Sequence, residues 1–290
     1  MDTLFSIATV EAGIRLGLPV ALAALGAIIN ERSGVLNLGL EGMMLSGALG
    51  GYIVNDATGS PWIGLLAGLL VGALTGGVFA GLVVTFRTSQ VVTGIAFTIV
   101  AIAATTYLFQ LRWDIGELPP RVERLGMWPL VALTLVCVAA VWFLFRRTTL
   151  GLTISAVGES PESADALGYN VVLIRWMATI AGGALAGLGG AVLVNGPLGL
   201  FIEEVTAGRG WVALALVVFA GWRPVPAVAG AFLFGLCDAA QLRLQGTATE
   251  VPYEVFLALP YVVTLIALVM RARRSHTPAA LGVPYVRGAS

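Results

Sequence analysis

Two polar residues, Asn37 and Glu41, lie in an otherwise apolar part of the sequence and are spaced one helical turn apart. This spacing places both side chains on the same face of a helix. If the helix crosses a bilayer, an ionised glutamate is costly there. Such a residue therefore suggests a substrate or ion pathway as the first hypothesis. The alternative is that Glu41 lies near the cytoplasmic membrane interface, where it pairs with Arg32 or caps a neighbouring helix.

A few other side chains suit the lining of a polar path. Asp238 and Gln241 are also one turn apart, and Asn195 ends an apolar run. Each of these alone is more often an interfacial residue, and Phe97, which offers a ring for stacking on a flat ligand, is more often a packing residue. The candidate pathway residues are Asn37, Glu41, Phe97, Asn195 and Asp238.

Residues that usually carry catalysis or bind metals are scarce. His276 is the one histidine, and the two cysteines, Cys137 and Cys237, fall in apolar runs, so we expect no metal site and no redox chemistry. All sixteen basic residues are arginine, and the phosphate-binding GxxxxGK[ST] loop needs a lysine. We therefore expect no cofactor in this chain, and any ATP must be hydrolysed by a partner.

The composition indicates a polytopic membrane protein. Of 290 residues, 58% are hydrophobic and 11% charged, with a mean hydropathy of +0.93. Apolar runs of about 17 to 25 residues predict an all-α fold with about nine membrane helices, within a range of eight to ten. The predicted spans are 12–30, 35–54, 61–86, 91–110, 128–145, 171–194, 209–221, 225–242 and 253–270. The break at 221–226 leaves open whether the seventh and eighth spans are half-helices or are joined by a surface turn.

Arginines at the ends of apolar runs predict the direction of the chain. The positive-inside tendency places the arginines at 146–147 and at 271–274 on the cytoplasmic side. An even number of predicted spans separates the two groups, so the assignments agree and put the N-terminus outside and the C-terminus in the cytoplasm. The loop 111–127 then lies outside although it carries three arginines, which makes it the weakest point of this topology.

A polar segment between two predicted spans, residues 146–170, contains the start and stop signals of a short helix. Ser160 suits the N-cap, Pro161 the first helical position, and Gly168 a left-handed residue after the last turn. A stiff helix between two spans is a surface for contact with another protein. We call residues 146–170 the coupling segment, because such a contact could couple a movement of the other protein to the spans. We divide the chain into a single transmembrane domain, 1–275, which contains this segment, and a cytoplasmic tail, 276–290.

Glycines recur at every fourth position of the third predicted span and at two such positions of the sixth. This spacing lets another helix approach closely along one face. We interpret these residues as helix packing positions without a transport role: Gly64, Gly68, Gly72, Gly76, Gly183 and Gly187.

Residues 31–44, ERSGVLNLGLEGMM, strongly resemble the signature of the membrane subunits of ABC importers for branched-chain amino acids, simple sugars and nucleosides. The ending NxGxEGMM is most like the nucleoside or purine branch, in its shorter permease. Two further matches are AVGESP at 156–161, and GRGW at 208–211 followed by WRP at 222–224. The resemblance extends from about residue 17 to residue 270. We call residues 31–44 the signature segment.

The resemblance implies a set of partners. These are a second, related permease chain, as a heterodimer or alternatively a homodimer, an ABC ATPase carrying ATP and Mg, and an extracytoplasmic binding lipoprotein. It also implies a bacterial inner-membrane location and no nucleic acid. The coupling residues carried over from the family are Gly158, Glu159, Ser160, Pro161, Glu162, Ala164, Leu167 and Gly168. Asn37 and Glu41 fall in the region that approaches the pathway in such permeases.

The function expected is that of a permease through which nucleosides or purines enter after delivery by the binding protein, with no catalytic residue in this chain. A simple sugar is the alternative substrate. A secondary transporter is a less favoured alternative, which would use Glu41 and Asp238 in an ion relay but would leave the coupling segment without a task.

Overall fold

The computed structural model describes residues 7–113, 119–245, 258, 261–262, 265–266, 269 and 277–287. The secondary structure of these residues consists of helices, without a strand. The α-helices are α1 Ile7–Arg32, α2 Leu40–Thr58, α3 Pro61–Ala80, α4 Gln90–Gln110, α5 Met127–Arg147, α6 Thr149–Glu159, α7 Pro161–Ala166, α8 Val171–Leu193, α9 Arg209–Ala220 and α10 Pro224–Gln245. Helices α3 and α8 each continue into a π-helical turn, Gly81–Thr85 and Val194–Leu198.

Six helices of the described part are long and apolar enough to cross a bilayer: α1, α3, α4, α5, α8 and α10. Helix α2 matches a predicted span but is not one of the six, because polar residues near both of its ends lower its hydropathy. Helix α9 also matches a predicted span but has only 12 residues. The last predicted span, 253–270, lies largely outside the described residues, so the count of nine and the absolute orientation stay predictions.

Helices α2, α3 and α8 pack through glycine. A β-carbon on Gly72 of α3 would overlap the carbonyl oxygen of Gly183 on α8, and one on Gly187 would overlap that of Gly68. A β-carbon on Gly64 would lie 2.7 Å from the carbonyl oxygen of Gly51 on α2. The two glycine stripes noted in the sequence therefore face each other, and α2 adds glycines of its own to the same seam.

The coupling segment folds as two short helices, α6 and α7. The hydroxyl of Ser160 accepts a hydrogen bond from the N–H of Ser163 (3.3 Å), Pro161 is the first residue of α7, and Gly168 has φ of +89°. The predicted caps are confirmed. The preceding helix α6 has a cap that we did not predict, in which the Thr148 hydroxyl accepts from the N–H of Gly151 (3.1 Å).

Hydrogen bonds between distant segments show which loops lie at the same end of the helix bundle. The N–H of Ala280, in the part of the tail that the structure describes, donates to the carbonyl of Gly158 at the end of α6 (2.9 Å). At the end of the bundle where α2 finishes, the hydroxyl of Tyr52 donates to the carbonyl of Pro120 (2.7 Å). The coupling segment and the tail thus lie at the same end, as the arginine pattern predicts.

Candidate functional site

The carboxylate of Glu41 closes the N-terminal end of α9. Its Oε1 accepts from the Thr206 hydroxyl (2.5 Å) and the Gly208 N–H (2.9 Å), and its Oε2 accepts from the Gly210 N–H (2.5 Å). The first N–H groups of a helix lack partners within it and carry partial positive charge, so they suit a carboxylate. Of the two interpretations of Glu41, this geometry supports the capping of a neighbouring helix.

The signature segment runs far into the bundle before α2 begins. Glu41 and Glu31 contact opposite ends of helix α9. Glu41 contacts its first turn, and Trp222, two residues past its end, donates from Nε1 to Glu31 Oε2 (2.6 Å). Twelve helical residues rise about 18 Å, so residues 31 and 41 contact opposite ends of a helix of about that length. The break between α1 and α2 therefore goes beyond a surface turn, which is the condition under which we expected it to mark a pathway.

Helix α4 holds this non-helical backbone in place. The N–H of Leu36 donates to the side-chain oxygen of Gln90, the first residue of α4 (2.7 Å). Gly94 packs against the backbone of the signature segment, because a β-carbon there would lie 3.0 Å from the N of Gly39. Backbone without helical hydrogen bonds inside a bundle must find other partners, and here a side chain of the same protein contributes one.

Asn37 and Phe97 lie side by side. A β-carbon on Gly39 would lie 2.9 Å from the ring of Phe97 and 3.3 Å from the Oδ1 of Asn37. The amide nitrogen of Asn37 donates to the sulfur of Met43 (3.3 Å), whereas its oxygen has no hydrogen-bond partner among the described residues. Phe97 packs edge-on against Phe79, with 5.7 Å between the ring centroids. The site thus combines a fully buried amide with an unused acceptor and an aromatic pair.

Asp238 also binds the N-terminal end of α9. Its Oδ2 forms an ion pair with Nη2 of Arg209, the first residue of α9 (2.8 Å), and its Oδ1 accepts from the amide of Gln241 (2.7 Å). Both side chains of the ion pair are largely buried. The structure therefore gathers Asp238 and Glu41 at the N-terminal end of α9, with their acceptor oxygens occupied by protein donors.

Asn195 is separate from this group and lies at the end of the bundle where α2 finishes. Its Oδ1 accepts from the amide of Asn55 (2.9 Å), and its backbone carbonyl accepts from the N–H of Leu125 (2.8 Å). Tyr52, in the same part of α2, stacks at 6.0 Å on Phe201. The candidate pathway residues are therefore divided between two regions rather than joined in one site.

Sequence reasoning missed the partners of the two buried glutamates. Thr206 and Gly210, which bind Glu41, and Trp222, which binds Glu31, were noted at most as parts of motifs. The glycine pair at 208 and 210 before an apolar run was a usable signal, because it leaves backbone N–H groups open to a close approach. Nothing in the local sequence indicated which acid would approach them.

The coupling segment touches the signature segment directly. A β-carbon on Gly158 would overlap the backbone carbonyl of Arg32 at the end of α1. Ala164 of α7 is buried against Val157, while Leu167, just past α7, leaves 77% of its surface exposed. One side of α7 is thus anchored to the bundle, and Leu167 projects from it.

Six described helices able to cross a membrane, buried polar residues at the helix breaks and a short capped helix at one end indicate an integral membrane protein. A family model described as "Branched-chain amino acid transport system / permease component" matches residues 9–268. The chain belongs to this family.

Several curated relatives are similar over most of the chain. A protein of Haloferax volcanii described as "Putative glucose ABC transporter permease protein" is 43% identical, over 83% of this chain and 79% of its own. A guanosine ABC transporter permease of Bacillus subtilis and a nucleoside ABC transporter permease of Lactococcus lactis are 32% and 30% identical, each over 93% of both chains. A solved ABC transporter of metal-chelate type shares the fold, with a TM-score of 0.56, 17% identity and coverage of 93% of this chain and 87% of its own.

These similarities establish what kind of subunit the chain is. It is a multi-pass membrane permease subunit of an ABC importer, and it is not itself an enzyme. Family membership implies an ATPase and a binding protein as partners. The names of these relatives include both glucose and nucleoside permeases, so the similarities alone leave the substrate class open between the two.

Proposed function

We propose that the chain forms part of the translocation pathway of a nucleoside or purine importer in the bacterial cytoplasmic membrane. An extracytoplasmic binding lipoprotein delivers the substrate, and a related second permease completes the pathway as a heterodimer. The ATPase is a separate subunit that carries ATP and Mg and docks on α7 at the cytoplasmic side.

The observation that carries the nucleoside assignment is the similarity to the guanosine and nucleoside permeases over 93% of both chains. The pairing of the unused Asn37 acceptor with the Phe97 ring supports it, because a base offers both a hydrogen-bond donor and a flat face. Asn37 is fully buried and Phe97 half-buried in this conformation, so contact of both with substrate requires α2 and α4 to separate there.

A simple sugar is the second candidate, favoured by the 43% identity to the glucose permease. A sugar offers several hydroxyl groups and no flat base, so it would use the Asn37 amide but gain little from the Phe97 ring. The two candidates therefore differ in how much transport depends on the aromatic pair.

Uptake by the reconstituted complex separates the candidates. Proteoliposomes that contain both permeases, the ATPase and the binding protein are supplied with labelled guanosine, adenosine, glucose or ribose, with and without ATP. We expect saturable, ATP-dependent uptake of the nucleosides alone. Uptake of glucose without nucleosides would replace the first candidate by the second, and gradient-driven uptake by the permease alone would contradict an ABC importer.

The coupling role rests on the geometry of α7. Its two capped ends make it a rigid unit, and the contact between Gly158 and Arg32 joins the coupling segment to the signature segment. Closure of the cassettes on ATP would thus displace α7, alter the packing of the glycine seam, and switch the pathway between outward and inward access.

A further inference from the structure

The described part of the tail, residues 277–287, packs against the coupling segment instead of extending away from it. The N–H of Ala280 donates to the carbonyl of Gly158 (2.9 Å), and the N–H of Ala279 lies 3.3 Å from the carboxylate of Glu159. Arg287 forms an exposed ion pair with Asp165 of α7 (3.2 Å).

The same eleven residues also bind the signature segment and α8. The N–H of Gly282 donates to the carbonyl of Gly34 (3.1 Å), and Nη1 of Arg175 on α8 donates to the carbonyl of Val283 (2.9 Å). Tyr285 packs into the small apolar cluster that contains Ala164 of α7. One short segment therefore joins three elements that are far apart in the sequence.

Arg175 is the least expected member of this arrangement. Its side chain is almost fully buried (3% exposed) near the start of α8, and burial of a charged guanidinium in protein is costly unless it is paired. Within the described part of the chain it forms no ion pair, and the one hydrogen bond that its guanidinium makes goes to the tail. An apolar residue would pack in this position at a lower desolvation cost, so the bond to the tail is the evident use of the arginine.

We propose that residues 277–287 form a clasp that fixes α7 to the signature segment, with Arg175 as its positioning residue. This inference rests on the proposed coupling function. When a cassette displaces α7, the clasp makes the signature segment move with it instead of allowing α7 to slide. The clasp thus acts on the efficiency of coupling and not on the binding of the ATPase.

The main test compares two truncations in the complete reconstituted transporter. A chain that ends after His276 lacks the clasp, and a chain that ends after Arg287 keeps every described contact. The measurements are co-purification of the ATPase and the ratio of ATP hydrolysed to substrate taken up. We expect the shorter chain to bind the ATPase normally but to raise this ratio at least about fivefold, the lower range of a coupling effect.

The two measurements separate the inference from the proposal on which it rests. An unchanged ratio in a shorter chain that binds the ATPase would overturn the clasp. Failure of the full-length chain to bind any ATPase would instead overturn the proposed function. A merely structural role would lower uptake and hydrolysis in proportion and leave the ratio constant, which also counts against the clasp.

Point variants keep the test decisive if the truncated chain does not fold. Arg175→Gln removes the guanidinium, whereas Arg175→Lys keeps a donor and the charge. We expect a raised ratio for Arg175→Gln and a ratio close to that of the unmodified chain for Arg175→Lys. Equal ratios in the two variants and the unmodified chain would contradict a positioning role.

A cross-link tests the clasp in a full-length chain. Asp165→Cys and Arg287→Cys are combined, with Cys137→Ser and Cys237→Ser to remove the other thiols, and joined by a reducible bifunctional thiol reagent. A clasp that stays closed through the cycle predicts that the linked chain takes up substrate as fast as the same cysteine variant before linking. Uptake that is blocked by the link and restored by reduction would show that the tail must detach, and the clasp would be wrong.

Discussion

Glu41 is held by three donors that belong to one short stretch around the start of α9. A buried carboxylate is stable only when such donors compensate for its desolvation, and hydrogen bonds to a charged group are the stronger kind. Glu31 is also buried, and its carboxyl group accepts a hydrogen bond from the indole of Trp222. Each of these acids attaches one end of α9 to the signature segment.

Replacement of Glu41 by alanine leaves the first N–H groups of α9 without their acceptor. We expect Glu41→Ala to lower the free energy of unfolding by about 2 kcal/mol, the upper range for loss of a helix cap. The measurement is thermal unfolding of the purified protein in detergent. Glu204→Gln, which changes an exposed acid nearby, is the control and should leave stability unchanged.

Trp222→Phe keeps the ring packing and removes the donor to Glu31. We expect a loss of about 1–3 kcal/mol, the cost of leaving a buried polar group unsatisfied. Trp211→Phe is the matched control, because Trp211 is 36% exposed and has no described hydrogen bond to an acid. Equal unfolding temperatures for the two variants would show that the indole bond to Glu31 contributes nothing to stability.

At the scale of elements, the contact between α3 and α8 depends on the absence of side chains. The backbones approach so closely that a β-carbon at Gly72 would meet the carbonyl of Gly183. Such a collision involves backbone on both sides, so rotation of a side chain cannot relieve it. Gly77, on the same helix but off the seam, has its nearest neighbour at 3.9 Å from an added β-carbon.

These two glycines provide a matched pair of alanine substitutions. We expect Gly72→Ala to destabilise the protein by about 1–3 kcal/mol through overpacking. Gly77→Ala should be neutral or stabilising by up to about 1 kcal/mol, because alanine has the higher helix propensity. The unfolding temperatures of the two variants in detergent make the comparison, and a similar loss in both would mean that α3 and α8 do not meet along this seam.

At the scale of the whole molecule, the coupling segment, the signature segment and the tail form one connected unit at one end of the bundle. Backbone contacts join Gly158 to Arg32, and Ala280 to Gly158. Leu167 projects from this unit and is 77% exposed. A large apolar side chain in that position is suited to insertion into a groove of another protein.

Leu167→Ser should therefore weaken binding of the ATPase without weakening the fold. We expect about a tenfold or larger loss of ATPase affinity, as for removal of an apolar anchor residue from an interface. The unfolding temperature of the isolated permease should not change. Leu66→Ser, at a position of α3 that is 56% exposed, is the control and should keep ATPase affinity unchanged.

The sequence by itself determined the class of protein, most of the helices and the caps of α7. These features depend on local signals: the length of an apolar run, or the position of Ser160, Pro161 and Gly168 within a few residues of one another. The signature segment also indicated the family, because a motif can be recognised without knowledge of its contacts. The start of α2 was predicted five residues early, because the non-helical residues before it are mostly as apolar as those of a membrane helix.

The tertiary structure decided which polar residues meet. Glu41 and Gly210 are 169 positions apart in the sequence, and Glu31 and Trp222 are 191 apart. Helical periodicity gives the face on which a side chain lies but not the neighbour that this face meets, because the neighbour is set by the packing of the whole bundle. For the same reason only the folded chain shows that residues 277–287, which read as a free tail, bind the coupling segment.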